Sequence, residues 1–230
     1  MAFVTENDNI DKICTVLEML ANDQKNLQNL REIDEFKLVE AIPHIFKIYT
    51  EKSKKTYYNS GLLVINEILE IINPWIIPYV SDMLCNIIKN SIRSQKEYAY
   101  LVYKVIVTKY PENIKICMPD LIPVISSDTK DVSKNVQKNS TEVIEILLRC
   151  SGNNDLDVFI PAVLKGIKNP ETIYDSVESL ASCVFVQNVE SPALAVTFPI
   201  LVKGLSDKKT VTKRLACTII DNMCLSLIHI

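Results

Sequence analysis

Apolar residues recur along this chain at the spacing of an α-helix, and short polar segments separate the recurrences. The first clear set is Tyr58, Leu62, Ile65, Leu69 and Ile72. Steps of three and four residues place all five side chains on one helix face. No alternation of apolar and polar residues continues for more than a few positions, so the sequence predicts an all-α fold.

Four later segments carry the same kind of apolar stripe. The stripes are Tyr98, Val102, Val105 and Ile106; Val132, Val136, Val143 and Leu147; Ile173, Val177, Leu180 and Val184; and Val211, Leu215, Ile219 and Met223. We interpret each stripe as the second helix of a helical hairpin. Polar turns at residues 128–131, 169–172 and 206–210 precede the last three, and their Asp, Asn, Ser and Thr side chains suit helix N-caps.

A proline set between apolar residues precedes each stripe. These prolines are Pro43, Pro78, Pro123, Pro161 and Pro199, which are 35, 45, 38 and 38 residues apart. A period of roughly 40 residues is typical of helical hairpins that bury their apolar faces against neighbouring repeats. Because the first turn of a helix does not use the N–H that proline lacks, we expect each proline near the start of a first helix.

The repeat pattern predicts a binding surface rather than an enzyme's pocket. We expect a right-handed α-solenoid of about five hairpins over residues 41–224. An N-terminal helical cap should occupy residues 1–40, with one helix at about residues 10–20 and another near Phe36.

Composition limits the chemistry that this chain could perform. The 230 residues are 48% apolar and 23% charged, which is typical of globular proteins, and the four glycines are too dispersed to build a phosphate-binding loop. The acidic pairs Asp155/Asp157 and Glu142/Glu145 are expected to be helix caps and solvated faces, and His44 is expected on a helix surface. We therefore expect no catalytic, cofactor-binding or metal-binding residue in this chain.

Three aromatic residues and seven cysteines have structural interpretations. Trp75, Tyr57 and Tyr58 could stack on bases, but they fall at helix starts, where packing between repeats is the expected role. The cysteines are Cys14, Cys85, Cys117, Cys150, Cys183, Cys217 and Cys224. Their scatter, without a C-x-x-C pair, predicts reduced and largely buried thiols, with Cys183 and Cys217 in second helices.

The chain carries no pattern that would direct it to a membrane. Its first eight residues lack the basic flank and apolar core of a secretory signal, and no run of about 20 apolar residues occurs. We expect a cytoplasmic monomer that uses neither a membrane nor a small-molecule substrate.

The second half of the chain resembles a particular HEAT-repeat array. Segments 155–161, 185–194 and 213–224, the last ending in the specific string I-I-D-N-M-C, resemble the N-terminal HEAT domain of the translation elongation factor 3 family of fungal-type ribosomal ATPases. The resemblance is continuous over about residues 115–224 and weaker, but in phase, over residues 41–114. It identifies the predicted solenoid as an armadillo-like HEAT-repeat array.

The resemblance implies a role in translation elongation. A full-length member of this ABC transporter F-like family would continue into a helical bundle, two ABC ATPase modules and a chromodomain-like insertion. With ATP and Mg bound in those modules, it would release deacylated tRNA from the ribosomal exit site. The HEAT arm itself would contact the ribosome without binding nucleotide, so no cofactor and no enzyme activity are expected here.

Two alternatives stay open. A related block occurs in the ribosome-bound activator of the amino-acid-starvation kinase, and a generic HEAT scaffold would bind a protein partner in its concave groove.

The resemblance breaks at Leu225, and residues 225–230 look like one reading frame of a sequencing adapter, so we expect a truncated gene product. For that reason His229 is excluded from site reasoning.

Charge is distributed unevenly, and it suggests where a ribosome contact would lie. Residues 1–40 hold nine acids and four bases, whereas residues 41–230 hold nineteen acids and twenty-one bases. Because an acidic surface repels nucleic acid, we expect contacts with phosphate from the later repeats.

Basic residues cluster at equivalent places in the last three repeats. Stacked repeats would align them into one surface, which we call the basic stripe: Lys130, Lys134, Lys138, Lys165, Lys168, Lys203, Lys208, Lys209, Lys213 and Arg214. The stripe is interpreted either as ordinary solubilising charge or as a contact with rRNA and ribosomal proteins. The spacing alone does not choose between these interpretations.

Overall fold

The structure, a computed structural model, describes residues 4–5 and 7–226, apart from the side chains of Gln24 and Ser226. Throughout these residues the regular elements are helices, and no strand occurs among them. The predicted all-α HEAT-repeat class is confirmed. Residues 227–230, and with them His229 and most of the hexapeptide expected to be non-native, lie outside the described residues.

The chain divides into two compact units, Met1–Asn113 and Ile114–Ile230. The first contains α1 (Ile10–Asn22), α2 (Gln24–Gln28), α3 (Glu35–Ile45), α4 (Tyr58–Ile71), α5 (Ile77–Asn90) and α6 (Arg93–Lys109), and α7 (Pro111–Ile114) includes the point of division. Short 3₁₀ helices lie at Asn29–Glu32, Phe46–Thr50, Lys52–Tyr57 and Pro74–Ile76. Helix α3 packs on α4, and α5 packs on α6, so this unit holds two of the predicted hairpins.

A cluster of aromatic rings fills the centre of the first unit. Tyr49 stacks on Tyr98 with ring centroids 4.0 Å apart, and it also contacts the rings of Phe46 and Tyr58. Its hydroxyl donates to the carbonyl oxygen of Tyr58 at 3.1 Å, which satisfies the one polar atom of a buried side chain. Burial raises the pKa of Tyr49 well above its ordinary range, so the phenol stays protonated.

The second unit contains the remaining hairpins. Its helices are α8 (Met118–Asp128), α9 (Lys134–Arg149), α10 (Asn154–Asp157), α11 (Ile160–Lys168), α12 (Ile173–Ala181), α13 (Ser191–Leu205) and α14 (Thr210–Ser226), with 3₁₀ helices at Lys115–Cys117 and Pro170–Thr172. The pairs α8–α9, α11–α12 and α13–α14 each pack as a hairpin. All five predicted hairpins are therefore present in the described part of the chain.

Helix α13 is the centre of the second unit, because it packs against α8, α11, α12 and α14. Two glycines allow the close approach. A Cβ atom on Gly166 of α11 would lie 2.7 Å from Ile200 Cδ1, and one on Gly204 would lie 3.0 Å from Val177 Cγ2. A Cβ atom on Gly166 would also lie 2.9 Å from Ser176 Cβ, so a side chain there would overlap α12 and α13, whereas one at Gly204 would require Val177 to shift slightly. Both glycines therefore favour the close packing of these helices.

The expected position of the repeat prolines is correct for two of the five. Pro78 and Pro161 lie in the first turns of α5 and α11, but Pro43, Pro123 and Pro199 lie inside α3, α8 and α13. The reason is that those three helices start earlier than predicted. Asp34 caps α3 by accepting from the N–H groups of Phe36 and Lys37, while second prolines, at 119 and 192, take the first-turn positions of α8 and α13.

The apolar stripes are mostly buried where they fall within helices. Val132 and Val184 are exceptions: they precede α9 and follow α12, respectively, and both are exposed. Val211 is also exposed, in the first turn of α14.

The predicted boundary between residues 40 and 41 falls inside α3, because the buried face of that helix continues from Leu38 to Ile45. That residues 1–40 act as a cap stays a prediction.

The cysteines depart from the predicted burial. Cys14, Cys85 and Cys183 are buried, Cys117 and Cys150 are half-buried, and Cys217 and Cys224 are exposed. Cys183 follows the end of α12 rather than lying in it, and Cys217 lies in α14 but on its solvent side. A helix is apolar on one face only, so membership of a helix did not decide burial.

A search of the described residues for membrane-spanning helices finds no single helix that is long and apolar enough. Two consecutive helical segments, Lys52–Ile71 and Pro74–Asn90, reach that length and apolar content only when taken together, and the chain bends by 117° between them.

The cysteines should differ strongly in reactivity. Burial, and secondly the charge of Asp155, raises the pKa of Cys183 to about 11, so little thiolate exists at pH 8. We expect iodoacetamide at pH 8 to alkylate exposed Cys217 and Cys224 first and Cys183 among the last, as measured by peptide mass spectrometry. In denaturant the alkylation rates of the seven cysteines should become similar, because burial no longer protects any of them. Early labelling of Cys183 in the folded protein would contradict the described burial.

Candidate functional site

The basic stripe lies wholly in the second unit and is almost entirely exposed. Nine of its ten side chains are open to solvent, and Lys203 is half-buried. Lys130 follows α8, Lys165 and Lys168 end α11, and Lys208 and Lys209 precede α14. Three intra-hairpin turns therefore supply half of the stripe.

Lys203 binds the end of a neighbouring helix. Its Nζ donates to the carbonyl oxygens of Gly166 at 3.0 Å and Ile167 at 3.1 Å, in the last turn of α11. An ammonium group at a helix C-terminus satisfies carbonyls that lack helical partners and opposes the negative end of the helix dipole. Lys203 therefore joins α13 to α11, and its hydrogen bonds are used within the fold.

Lys130 lies beside Lys203. Burial, and secondly the charge of Lys130, lowers the pKa of Lys203 to about 8. The structure thus brings together the α8–α9 turn and the last turns of α11 and α13. Lys168, one residue beyond Ile167, lies at the same end of α11.

A second set of contacts joins the α11–α12 turn to the α13–α14 turn. Lys165 forms an ion pair with Asp175 of α12 at 3.3 Å, and Lys209 lies 5.7 Å from the ring centroid of Tyr174. Both contacts are at the start of α12. Lys165 is therefore paired with a carboxylate of its own hairpin, whereas Lys209 lies over an aromatic face.

The remaining members of the stripe lie along helix surfaces. Lys134 and Lys138 are exposed on α9, and Lys138 is 4.0 Å from Glu142. Lys213 and Arg214 are exposed in the first turns of α14. The described contacts do not connect these four residues to the cluster around Lys203.

Positive charge is concentrated at the last hairpin. Residues 203–214 hold five bases and one acid, whereas Asp128 and Asp131 balance Lys130 and Lys134 around the α8–α9 turn. The one acid, Asp207, accepts from the backbone N–H of Lys209, and the neighbouring Thr212 side chain and backbone N–H groups lower the pKa of Asp207. The stripe is therefore a strongly basic α13–α14 region beside nearly neutral turns.

Other sequence candidates have structural roles. Asp155 accepts from the N–H groups of Val186 and Gln187 at 2.8 and 2.7 Å, which holds the segment between α12 and α13. Glu142 and Glu145 face basic residues on α9. His44 is half-buried in α3. Among the described residues no group of three or more His, Cys, Asp and Glu could hold a metal ion.

Sequence reasoning missed two surfaces. Trp75 is largely exposed, so its expected packing role is wrong. An apolar groove of about 220 Å³ between α8 and α13 was also not predicted; it is lined by Pro119, Pro123, Ser191, Leu194, Ala195 and Phe198. The sequence of α13 is apolar at nearly every position, whereas an ordinary surface helix has a polar face. That pattern could have predicted an exposed apolar surface on this helix.

Comparison with known proteins agrees with this architecture. A family model described as the elongation factor 3/GNC1 HEAT repeat matches residues 171–229, which include α12, α13 and α14. Elongation factor 3 of Pneumocystis carinii is 27% identical over 188 residues, covering 81% of this chain and 18% of that protein. The chain carries a HEAT-repeat region of the elongation factor 3 type.

Two further relatives carry the same name. Elongation factor 3 of Phytophthora infestans is 38% identical over 114 residues, which is 50% of this chain and 11% of that protein. Elongation factor 3B of Saccharomyces cerevisiae is 33% identical over 158 residues, which is 68% of this chain and 15% of that protein. The chain thus spans less than a fifth of the length of these elongation factor 3 relatives.

The proximity of Lys130 and Lys203 can be tested by titration. Replacing Lys130 by Gln removes a positive charge, so the pKa of Lys203 should rise from about 8 while remaining below the ordinary lysine value, because burial is the larger cause. NMR titration of ¹³Cε-labelled lysines measures this. Lys134→Gln, on the exposed face of α9, is the matched control and should leave Lys203 unchanged. An unchanged Lys203 titration in both variants would contradict the described cluster.

Proposed function

We propose that this HEAT-repeat region binds the ribosome during translation elongation, through the basic stripe. The observation that carries the proposal is the excess of positive charge on residues 203–214, exposed at the α13–α14 hairpin. Clustered Lys and Arg side chains attract the phosphates of rRNA and release the counterions that surround them. We assign the main contacts to Lys208, Lys209, Lys213 and Arg214. Acidic patches on ribosomal proteins would form ion pairs with the same four side chains.

The other members of the stripe have smaller roles in this proposal. Lys203 holds α11, and Lys165 is paired with Asp175, so neither is free to contact a phosphate without losing its present partner. Lys130, Lys134, Lys138 and Lys168 extend the positive surface. Their effect on affinity should be weaker, because Asp or Glu side chains lie near several of them.

The assignment also has consequences for the whole protein. A longer protein containing this region would bind ATP and Mg in separate ATPase modules and would use them to release tRNA from the exit site. The region itself would act as a monomeric, cytoplasmic ribosome-contacting arm. Extending the gene sequence past residue 224 tests this: Walker motifs a few hundred residues later are expected, and continued HEAT repeats would favour the starvation-kinase activator.

One observation favours a protein scaffold as a second candidate. The exposed face of α13 carries Leu194, Phe198, Val202 and Leu205, and its first half borders the groove against α8. Apolar surface of this kind is typical of protein–protein contacts. A scaffold would bind through this face, and binding would change little with salt.

Charge reversal distinguishes the two candidates. Replacing Lys208, Lys209, Lys213 and Arg214 by Glu should strongly weaken co-sedimentation with ribosomes and flatten its dependence on salt, because phosphate contacts are lost. Each contact is worth roughly 1 kcal/mol or less, so single replacements should have little effect.

The matched control reverses four exposed lysines of the first unit, Lys25, Lys52, Lys55 and Lys89, which changes the net charge equally. This control should bind ribosomes nearly as well as the parent. Circular dichroism should show unchanged helicity in both variants. Equal binding by the parent and the stripe variant at several salt concentrations would refute the proposed contact.

The purified 230-residue chain should not hydrolyse ATP. Its four glycines do not form a phosphate-binding loop, and nothing in the sequence resembles the Walker motif. Phosphate release should equal that of a mock preparation in the presence of Mg. Activity that follows the protein peak through size-exclusion chromatography would overturn the assignment as a binding region.

A further inference from the structure

Three aromatic side chains of the first unit, one near the start of α3 and two around the start of α5, are exposed. Trp75 is 84% exposed, Phe36 is 64% exposed and Tyr79 is 53% exposed. Large aromatic residues are usually mostly buried, so three of them in solvent are unusual for a folded chain. We call Phe36, Trp75 and Tyr79 the aromatic patch.

One hydrogen bond fixes the elements that carry the aromatic patch relative to each other. The Glu35 carboxylate, at the start of α3, accepts from the backbone N–H of Asn73 at 3.2 Å. Asn73 in turn accepts, through its side chain, from the N–H of Trp75 at 3.0 Å. Phe36 directly follows Glu35, and Tyr79 lies about one turn beyond Trp75, in the first turn of α5. The backbone segments that carry the three rings therefore lie next to each other in this unit.

Carboxylates outnumber basic residues in the segments that carry the aromatic patch. Asp34 and Glu35 adjoin Phe36, and Asp82 lies one turn beyond Tyr79 on the exposed side of α5. Residues 31–40 hold four acids and two bases, and residues 73–82 hold one acid and no base. The patch therefore combines apolar rings with net negative charge, unlike the basic stripe of the second unit.

We propose that the aromatic patch is a docking site for an arginine-rich segment of a protein partner. A guanidinium group stacks on aromatic faces and forms paired hydrogen bonds with carboxylates, so arginine complements both features at once. Trp and Tyr are also the residues that most often dominate the energy of protein interfaces. This proposal concerns the first unit and does not depend on the ribosome contact.

Nucleic acid fits the aromatic patch less well. Sites that stack bases on aromatic rings also carry a positive groove that follows the phosphate backbone. Here Asp34, Glu35 and Lys37 lie within two residues of Phe36, and Asp82 lies three residues after Tyr79. Carboxylates therefore outnumber bases near the rings in the sequence. Phosphates would be repelled where guanidinium groups are attracted.

The position of Trp75 provides a direct assay, because the chain has one tryptophan. Titration with a short oligoarginine peptide should produce a saturable change in tryptophan fluorescence that weakens as salt is added. An oligolysine peptide of the same length should bind more weakly, since an ammonium group lacks the planar stacking surface. Oligoglutamate and oligouridylate should produce no saturable change.

A double variant separates docking on the rings from general attraction between charges. Phe36→Ala with Tyr79→Ala retains Trp75 and the net charge, and it should weaken oligoarginine binding about tenfold. Asp82→Asn should also weaken binding. Ile116→Ala with Val158→Ala, which removes two exposed apolar side chains from the second unit, is the matched control and should bind like the parent. Circular dichroism should confirm that each variant is folded.

Two results would overturn the proposal. If the double variant binds oligoarginine as tightly as the parent, the attraction is general electrostatics and the aromatic patch has no part in it. If oligouridylate changes the fluorescence and oligoarginine does not, the rings stack on nucleic acid instead.

Discussion

The central position of α13 is the constraint on which the second unit depends. This helix is apolar on nearly every side, and its buried residues contact four other helices. Such a helix cannot face water alone, so the hairpins around it must assemble for any of them to be stable. Gly166 and Gly204 set how closely α11, α12 and α14 can approach it.

The same packing organises the charged surface. Because α13 lies close to α11, the Lys203 ammonium reaches the carbonyl oxygens at the end of α11, and Lys130 lies beside it. Two positive groups are thereby held together, and burial lowers the pKa of one of them. The unmatched positive charge lies farther along, on residues 208–214. Tertiary packing therefore gives the lysines of the basic stripe different roles.

The two units present surfaces of opposite character. The first carries exposed aromatic rings next to carboxylates, and the second carries lysines and an arginine around the last hairpin. This contrast follows the uneven charge of the sequence, in which acids concentrate before residue 41. The proposed ribosome contact and the proposed arginine docking site would use these opposite charges, since each surface repels the other's ligand.

The sequence by itself determined the helical class and the five hairpins. The resemblance to the elongation factor 3 family rests on specific strings such as I-I-D-N-M-C, whereas the helical class and the hairpins follow from the local periodicity of the sequence. The sequence did not determine where α3, α8 and α13 begin, since Asp34, Pro119 and Pro192 compete with the repeat prolines as start signals. Nor did it reveal the exposure of Trp75 and Cys217 or the burial of Lys203. Those depend on which helix face meets a neighbour and on how closely two glycines allow helices to approach, and only tertiary packing decides that.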